Sequence, residues 1–324
     1  MSPDPALDYV PAVTSTSSTE KSPVVVASER PAAWLPVTAL GVTLLLWASA
    51  FVAIRHLGHD VTPGALSLGR LLVGSVALSF LLLRGRRARL TRNEVLLLLL
   101  CGIAWFGIYN IALNDSERRI DAATAAMLVQ IGPIVVALLA AVFLGERLTP
   151  WLLGGIAVAF AGVVVIGLAM RGHGGSDVSG VLLALLAAVT YAVGVVSQKV
   201  LLRRLSGLEV VCYACWIGVV VCLPWSGDLV GVVRHGSGAD LAWIAYLGTF
   251  PTALAFSLWA YALRHTDAGK QAITTFLVPG ITAVLAWVLL DEVPPALAFA
   301  GGLLCIFGVL LTRRKPRAVS TVRV

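Results

Sequence analysis

One stretch of the sequence, residues 121–166, recurs 146 residues later, and this duplication limits the fold more than any other feature. Aligned without a gap, 13 of the 46 residue pairs are identical, most of them Ala, Leu or Val. The informative matches are Asp121 with Asp267, Pro133 with Pro279, Glu146 with Glu292, Gly155 with Gly301 and Gly162 with Gly308. Because internal repeats fix an architecture, the chain is predicted to consist of two related halves.

The composition indicates a membrane protein. Of the 324 residues, 58% are hydrophobic and 13% are charged, against about 25% charged residues in ordinary soluble domains. Apolar runs of roughly 20 residues, enough to cross a bilayer as helices, alternate with short polar breaks. The predicted fold class is therefore all-α and integral to the membrane.

The apolar runs predict ten transmembrane helices. They are expected at 35–54, 63–83, 94–113, 122–144, 151–169, 179–200, 209–225, 241–263, 271–290 and 296–312. They divide into a five-helix repeat at 34–170 and another at 178–312, with a disordered cytoplasmic tail at 1–33 and a basic cytoplasmic tail at 313–324. Because each repeat has an odd number of spans, the second should be inverted relative to the first. Inverted repeats are typical of secondary transporters that work by alternating access.

The distribution of Lys and Arg predicts the orientation. With the N-terminus in the cytoplasm, 18 of the 24 basic residues are cytoplasmic, five are outside, and Arg70 lies within a span. Basic residues collect in cytoplasmic loops, so both termini are expected there, in a multi-pass protein of a prokaryotic cell membrane. The basic residues responsible for the net charge of +7 lie mostly in loops and tails, so no nucleic-acid partner is expected.

Several segments resemble the drug/metabolite transporter superfamily, specifically its EamA-like members. They are LLWASAFVAIR at 45–55, LSLGRLLVGSVAL at 66–78, the two duplicated stretches, and ALRHTDAGKQA at 262–272. The resemblance covers about 35–312 and implies a ten-helix inverted-repeat fold. It further implies movement, often export, of small metabolites, amino acids or drugs, but substrate identity does not follow from the fold.

Arg70 is the one basic residue predicted inside a span. An intramembrane charge is a functional candidate by default, and the planar guanidinium would suit a substrate carboxylate. The alternative is a structural arginine that binds neighbouring carbonyls or extends to the surface.

The paired prolines predict breaks in two helices. Pro133 and Pro279 each remove an N–H and free a carbonyl one turn earlier, which must find another partner in a membrane. Matching breaks in two repeats indicate a transport site, although a proline can also serve to kink a helix for packing. Gln130 and Thr275 are expected at the depth of these breaks.

Aromatic and amide side chains in four other spans complete the candidate substrate site. They are Trp47, Tyr109, Asn110, Tyr191 and Trp259. An apolar, aromatic cavity with a few polar groups suits a small amphipathic ligand. For each residue alone, packing in the core or at the lipid interface is the alternative.

Glu146 and Glu292 are expected at equivalent helix ends, where they are candidate gating residues. No acid or histidine is predicted near the middle of a span, which argues against a carboxylate-centred cation site and leaves the driving force open.

The favoured function is a secondary transporter of small zwitterionic or anionic metabolites, amino acids first, running as an exporter. The alternatives are a drug or hydrophobic-cation exporter of the same fold, and a lipid scramblase or non-transporting receptor. No enzyme motif is present, and the C-x-x-C at Cys212 and Cys215 lies within an apolar run, so no catalytic residue, metal or cofactor is expected. The expected partners are a small-molecule substrate and the lipid bilayer; a homodimer is left open.

Overall fold

A computed structural model describes residues 34–57, 61–83, 88–120, 122–170, 177–290 and 295–314. All regular secondary structure in these residues is helical. Within the same ranges, eight helical segments are long and apolar enough to cross a membrane, and Ala296–Thr312 is a shorter apolar helix.

The described helices fall into two series. The first series is α1 Trp34–Leu57, α2 Pro63–Leu82, α3 Arg92–Cys101, a π-helical segment Gly102–Tyr109, α4 Asn110–Arg119, α5 Ala122–Val129, α6 Gly132–Leu144 and α7 Pro150–Met170. The second is α8 Val178–Leu201, α9 Gly207–Cys222, a 3₁₀ turn Leu223–Trp225, α10 Ser226–His235, α11 Gly238–Leu247, a π-helical segment Gly248–Leu254, α12 Ala255–His265, α13 Ala268–Ile273, a 3₁₀ turn Thr274–Leu277, α14 Val278–Leu290 and α15 Ala296–Thr312.

The helix boundaries repeat along the chain. α8 and α9 begin 144 residues after α1 and α2, and every helix from α3 to α7 has a counterpart that begins 145 or 146 residues later. The starting signals repeat as well. Thr91 and Glu94 form a capping box at the start of α3, and Ser237 and Asp240 form one at the start of α11. These boxes satisfy backbone N–H groups that a helix leaves unpaired.

The two halves contact each other reciprocally. α1 packs against α12 and α14, and its counterpart α8 packs against α4 and α6. A Cβ on Gly102 would lie 2.6 Å from Cβ of Ile217, and a Cβ on Gly248 would lie 2.5 Å from Cβ of Val73. Each π-helical segment therefore lies against the second helix of the other half at equivalent positions.

α7 and α15 cross at a second reciprocal contact. A Cβ on Gly155 would lie 2.7 Å from the carbonyl oxygen of Gly308, and a Cβ on Gly301 would lie 2.7 Å from that of Gly162. Residue numbers rise along α7 as they fall along α15, so the two counterparts run antiparallel. Small residues let helix backbones approach this closely in a membrane.

The structure contains both predicted breaks: the helix expected at 122–144 is interrupted between α5 and α6, and the one expected at 271–290 consists of α13, a 3₁₀ turn and α14. It differs from the sequence prediction in the two π-helical segments and in α10. Residues 226–235, expected as part of a loop, form α10. Asp228 in its first turn and Arg234 in its last complement the helix dipole, which explains a short surface helix here.

Candidate substrate site

An aromatic cluster occupies the space between the two series of helices. The indole of Trp47 on α1 lies 5.0 Å from that of Trp259 on α12. Trp105, on the first π-helical segment, lies 5.0 Å from the ring of Phe256. Trp105 and Trp259 are almost fully buried, whereas Trp47 is partly exposed. The cluster is therefore a packed apolar wall with Trp47 at its accessible edge.

Two tyrosines extend this wall toward α8. The rings of Trp105 and Tyr191 are 5.3 Å apart, and those of Tyr109 and Tyr191 are 6.0 Å apart. The Tyr191 hydroxyl is buried and has no hydrogen-bond partner among the described residues. Asn110, also predicted here, directs its Nδ2 to the carbonyl of Trp105 at 3.1 Å and to that of Phe106 at 2.9 Å. Its amide therefore satisfies two carbonyl groups of the π-helical backbone.

The second π-helical segment contains a proline that organises its surroundings. Pro251 has no N–H to give the carbonyl of Leu247 four residues earlier. The Thr252 hydroxyl donates to that carbonyl at 2.8 Å, and Trp47 Nε1 donates to the carbonyl of Pro251 at 3.3 Å. The irregular backbone is therefore satisfied by side chains, as a membrane interior requires.

Arg70 lies next to this segment. Its Nε donates to the Thr252 hydroxyl at 3.1 Å, and the residue is 7% exposed. Within the described residues it forms no ion pair. A buried guanidinium with a neutral partner carries uncompensated positive charge, which is costly in an apolar interior.

The two proline breaks face each other. Pro133 and Pro279 are the second residues of α6 and α14, so each follows a break. The Thr275 carbonyl, four residues before Pro279, accepts the N–H of Val278 in the 3₁₀ turn and also Gln130 Nε2 at 2.7 Å. The Thr275 hydroxyl donates to its own helix, at Ala272. A side chain at one break thus donates to the backbone of the other.

Glu146 joins the end of α6 to the start of α13. Gly145 has a φ of 70°, a left-handed conformation that glycine adopts without strain, and the chain turns after Leu144. The Glu146 carboxylate then accepts the N–H of Ala268 at 2.6 Å and that of Gly269 at 2.9 Å. The carboxylate supplies partners for the unpaired amides that begin a helix.

Lys199 binds the adjoining helix end. Its Nζ donates to the carbonyls of Leu263 at 2.6 Å and Thr266 at 2.5 Å, at the end of α12. A cation at a helix C-terminus is favourable because the last carbonyls carry partial negative charge. The contacts of Glu146 and Lys199 together form the Glu146 closure, which ties α6 and α8 to α12 and α13.

The Glu146 closure has no comparable counterpart among the described helices. α6 packs along α13, whereas the equivalent helices α14 and α5 are not in comparable contact. Glu292, the sequence counterpart of Glu146, lies outside the described residues. The two ends of the molecule therefore differ even though their helix boundaries match.

The structure brings most of the predicted site residues together. Trp47, Tyr109, Tyr191 and Trp259 share one cluster, Gln130 contacts Thr275, and Arg70 reaches the second π-helical segment. The sequence prediction missed Pro251 and Lys199. The signal for Pro251 was present, since it is another proline inside an apolar run, whereas Lys199, at the end of the span expected at 179–200, was counted with the basic residues of the cytoplasmic side.

Comparison with known proteins places this arrangement in a family. The EamA-like transporter family matches residues 34–168 and 178–314. The chain belongs to this family. The two matches coincide with the two helix series. The described residues contain no group of three or more His, Cys, Asp or Glu side chains that would suit a metal ion.

Two curated relatives of the family match along most of their length. A "Probable terminal-alkyne amino-acid exporter" of Streptantibioticus cattleyicolor is 41% identical, over 86% of this chain and 93% of the relative. A "Probable amino-acid metabolite efflux pump" of Salmonella typhimurium is 27% identical, over 87% of this chain and 95% of the relative. A solved crystal structure matches with a TM-score of 0.70 at 20% identity, covering 86% of this chain and 96% of that one. That last likeness concerns the fold alone.

Proposed function

We propose that this EamA-like transporter exports small metabolites that carry a carboxylate, amino acids first. The observation that carries the proposal is Arg70, a buried guanidinium that donates to a hydroxyl and forms no ion pair in the described part of the chain. A carboxylate would neutralise it and accept two parallel hydrogen bonds from its fork.

The surroundings of Arg70 also suit the opposite end of a zwitterion. Trp47 and Tyr109 are partly exposed rings of the aromatic cluster that lies between the two series of helices. An ammonium group is attracted to the face of such a ring by about 0.5–2 kcal/mol. The names of the two curated relatives, which refer to amino acids or their metabolites, point to the same class.

The fold supports ten spans arranged as two inverted repeats. To the eight long segments we add α15 and the broken unit of α13, the 3₁₀ turn and α14, which begin 146 residues after α7 and the α5–α6 unit. The reciprocal glycine contacts and the antiparallel course of α7 and α15 favour a twofold relation between the halves. With both termini cytoplasmic, the Glu146 closure lies at the cytoplasmic end.

Alternating access follows from this arrangement. The Glu146 closure holds the cytoplasmic end together, while the equivalent helices at the other end, α5 and α14, lie apart. The structure then corresponds to an outward-facing state, and separation of α6 from α13 would open the inward-facing one. Glu146 is the gating residue of this proposal, and Glu292 is its sequence counterpart in the other half.

The alternative functions differ from this one in the charge of the substrate or in the kind of transport they would show. A hydrophobic-cation exporter would bring a like charge to the guanidinium, which is unfavourable. A lipid scramblase or a non-transporting receptor would not produce saturable exchange of a soluble metabolite. Arg70 as an anion-recognition group favours the carboxylate carrier over the cation exporter, and saturable exchange distinguishes it from the scramblase and the receptor.

The test is counterflow in proteoliposomes preloaded with a pool of unlabelled amino acids and small carboxylates, with the same pool labelled outside. We expect saturable exchange by the wild type and by Arg234→Ala, a matched loss of an exposed arginine on α10, but not by Arg70→Ala. Counterflow requires no knowledge of the driving force. Exchange that Arg70→Ala leaves unchanged would overturn the carboxylate site, and exchange of cationic drugs alone would favour the other exporter.

A further inference from the structure

The guanidinium of Arg70 has one of its three nitrogens occupied. Its Nε donates to the Thr252 hydroxyl at 3.1 Å, whereas Nη1 and Nη2 have no hydrogen-bond partner among the described residues. The residue is 7% exposed, and neither terminal nitrogen is among the unpartnered atoms that are closed off from solvent in this part of the chain. The end of the fork that matches the two oxygens of a carboxylate is therefore left open.

The Thr252 hydroxyl presents only an acceptor to Arg70. A hydroxyl has a single proton to donate, and Thr252 gives it to the carbonyl of Leu247 at 2.8 Å. Pro251, the residue before Thr252, has no N–H to direct at that carbonyl, so the side chain supplies a donor there. The bond to Leu247 thus leaves the lone pairs of the hydroxyl for Nε of Arg70, which is a donor only.

The methyl group of Thr252 also fixes the position of its side chain. A Cβ on Gly74, four residues after Arg70 on α2, would lie 2.9 Å from Cγ2 of Thr252, so the methyl group occupies the space that this glycine leaves. Both branches of the side chain are therefore held, the hydroxyl by Leu247 and the methyl group by α2. A β-branched side chain has few χ1 rotamers, and Thr252 is only 1% exposed. The hydroxyl is thus a fixed acceptor for Arg70.

We propose that Thr252 is a positioning residue for substrate recognition, an inference that rests on the proposed function. By holding Nε, it fixes the orientation of the guanidinium plane and directs Nη1 and Nη2 to the substrate carboxylate. Without this acceptor, Arg70 keeps its charge but loses the fixed orientation that two parallel hydrogen bonds require. Thr252 therefore sets the half-saturation concentration of the substrate and not the maximal exchange rate.

Counterflow kinetics of Thr252→Val test this role, with the full chain in proteoliposomes and the labelled pool members that the wild type exchanges. Valine keeps the branched shape and removes the hydroxyl. We expect the half-saturation concentration to rise about tenfold, equivalent to ~1.4 kcal/mol, and the maximal rate to stay unchanged. Thr252→Ser keeps the hydroxyl and should restore most of the affinity. The matched control is Thr190→Val on α8, whose hydroxyl bonds within its own helix to Leu186 and Ala187; it should change neither quantity.

The same substitution in an Arg70→Lys background separates positioning from damage to the fold. A lysine ammonium has rotatable donors and no plane to orient, so Thr252→Val should raise the half-saturation concentration there by less than about threefold, whereas damaged packing would act equally in both backgrounds. Equal rises in the two backgrounds, or no rise when Arg70 is present, would overturn the positioning role while wild-type exchange still supported the proposed function. Absence of wild-type exchange of any carboxylate would overturn the proposed function and the positioning role with it.

Discussion

The two halves of the molecule share helix boundaries but not chemistry. The counterpart of Arg70 is Ala214, that of Gln130 is Phe276, and that of Trp47 is Tyr191, at spacings of 144 or 146 residues. The first half supplies the donors, Arg70 and Gln130, and the second half supplies their acceptors, the Thr252 hydroxyl and the Thr275 carbonyl. The duplicated backbone therefore builds a symmetric frame, and the unequal side chains make one asymmetric site in it.

The largest expected effect on transport comes from Arg70, whose counterpart in the second half is Ala214. Arg70→Ala should lower the ratio of maximal exchange rate to half-saturation concentration about 30-fold or more, because loss of one member of a desolvated charge pair costs 2–5 kcal/mol. Arg70→Lys keeps the charge and loses the planar fork, so it should recover part of the activity. Equal loss in both variants would show that the fork matters more than the charge.

The frame itself is tested at the crossing of α7 and α15. Gly162→Ala would bring a Cβ to 2.5 Å from the Gly301 carbonyl, and Gly308→Ala to 2.4 Å from the Ala159 nitrogen. Each should destabilise the protein by about 3 kcal/mol, the upper part of the overpacking range, since backbone atoms cannot move aside easily. Melting of the detergent-solubilised protein measures this, with Gly302→Ala as the control because its Cβ would meet nothing within 4 Å. If the two variants lowered the melting temperature by different amounts, the two halves would not be equivalent at this crossing.

The link between the two breaks gives a smaller effect. Gln130→Met removes the side-chain donor to the Thr275 carbonyl, which keeps the N–H of Val278, so we expect a loss of about 1.5 kcal/mol for one buried hydrogen bond. Thr275→Val is the matched control, since it keeps the carbonyl and removes only a hydroxyl that bonds within its own helix. The melting temperatures of both variants measure this loss of stability. A control as unstable as Gln130→Met would argue that the hydroxyl, and not the bond between halves, holds the breaks together.

The smallest effect concerns the closure. Glu146→Gln leaves one amide oxygen where two carboxylate oxygens bound the start of α13, so the Ala268 and Gly269 amides should exchange with solvent about fivefold faster, for ~1 kcal/mol. Hydrogen exchange of this segment provides the measurement. Asp267→Asn is the control, because its carboxylate pairs with Lys270 on the surface. Unchanged amide exchange in Glu146→Gln would remove the closure from the gating proposal.

The sequence by itself determined the membrane class, the duplication and the positions of the two breaks. These properties follow from composition and from residues close together in the chain, such as an apolar run or a proline within it. The sequence also indicated Arg70 and Gln130 as polar groups at membrane depth. It missed the two π-helical segments and α10, whose residues differ little from those of an ordinary apolar helix or a loop.

Only the tertiary structure decided which group each of these residues meets. Arg70 and Thr252 are 182 residues apart, Gln130 and Thr275 are 145 apart, and Glu146 and Ala268 are 122 apart. No local pattern encodes such pairs, because they depend on how helices of one half pack against helices of the other. The contact between α6 and α13 was equally beyond the sequence: the duplicated helices α14 and α5 begin at matching positions but have no comparable contact, because it depends on side chains such as Glu146 that meet partners far along the chain.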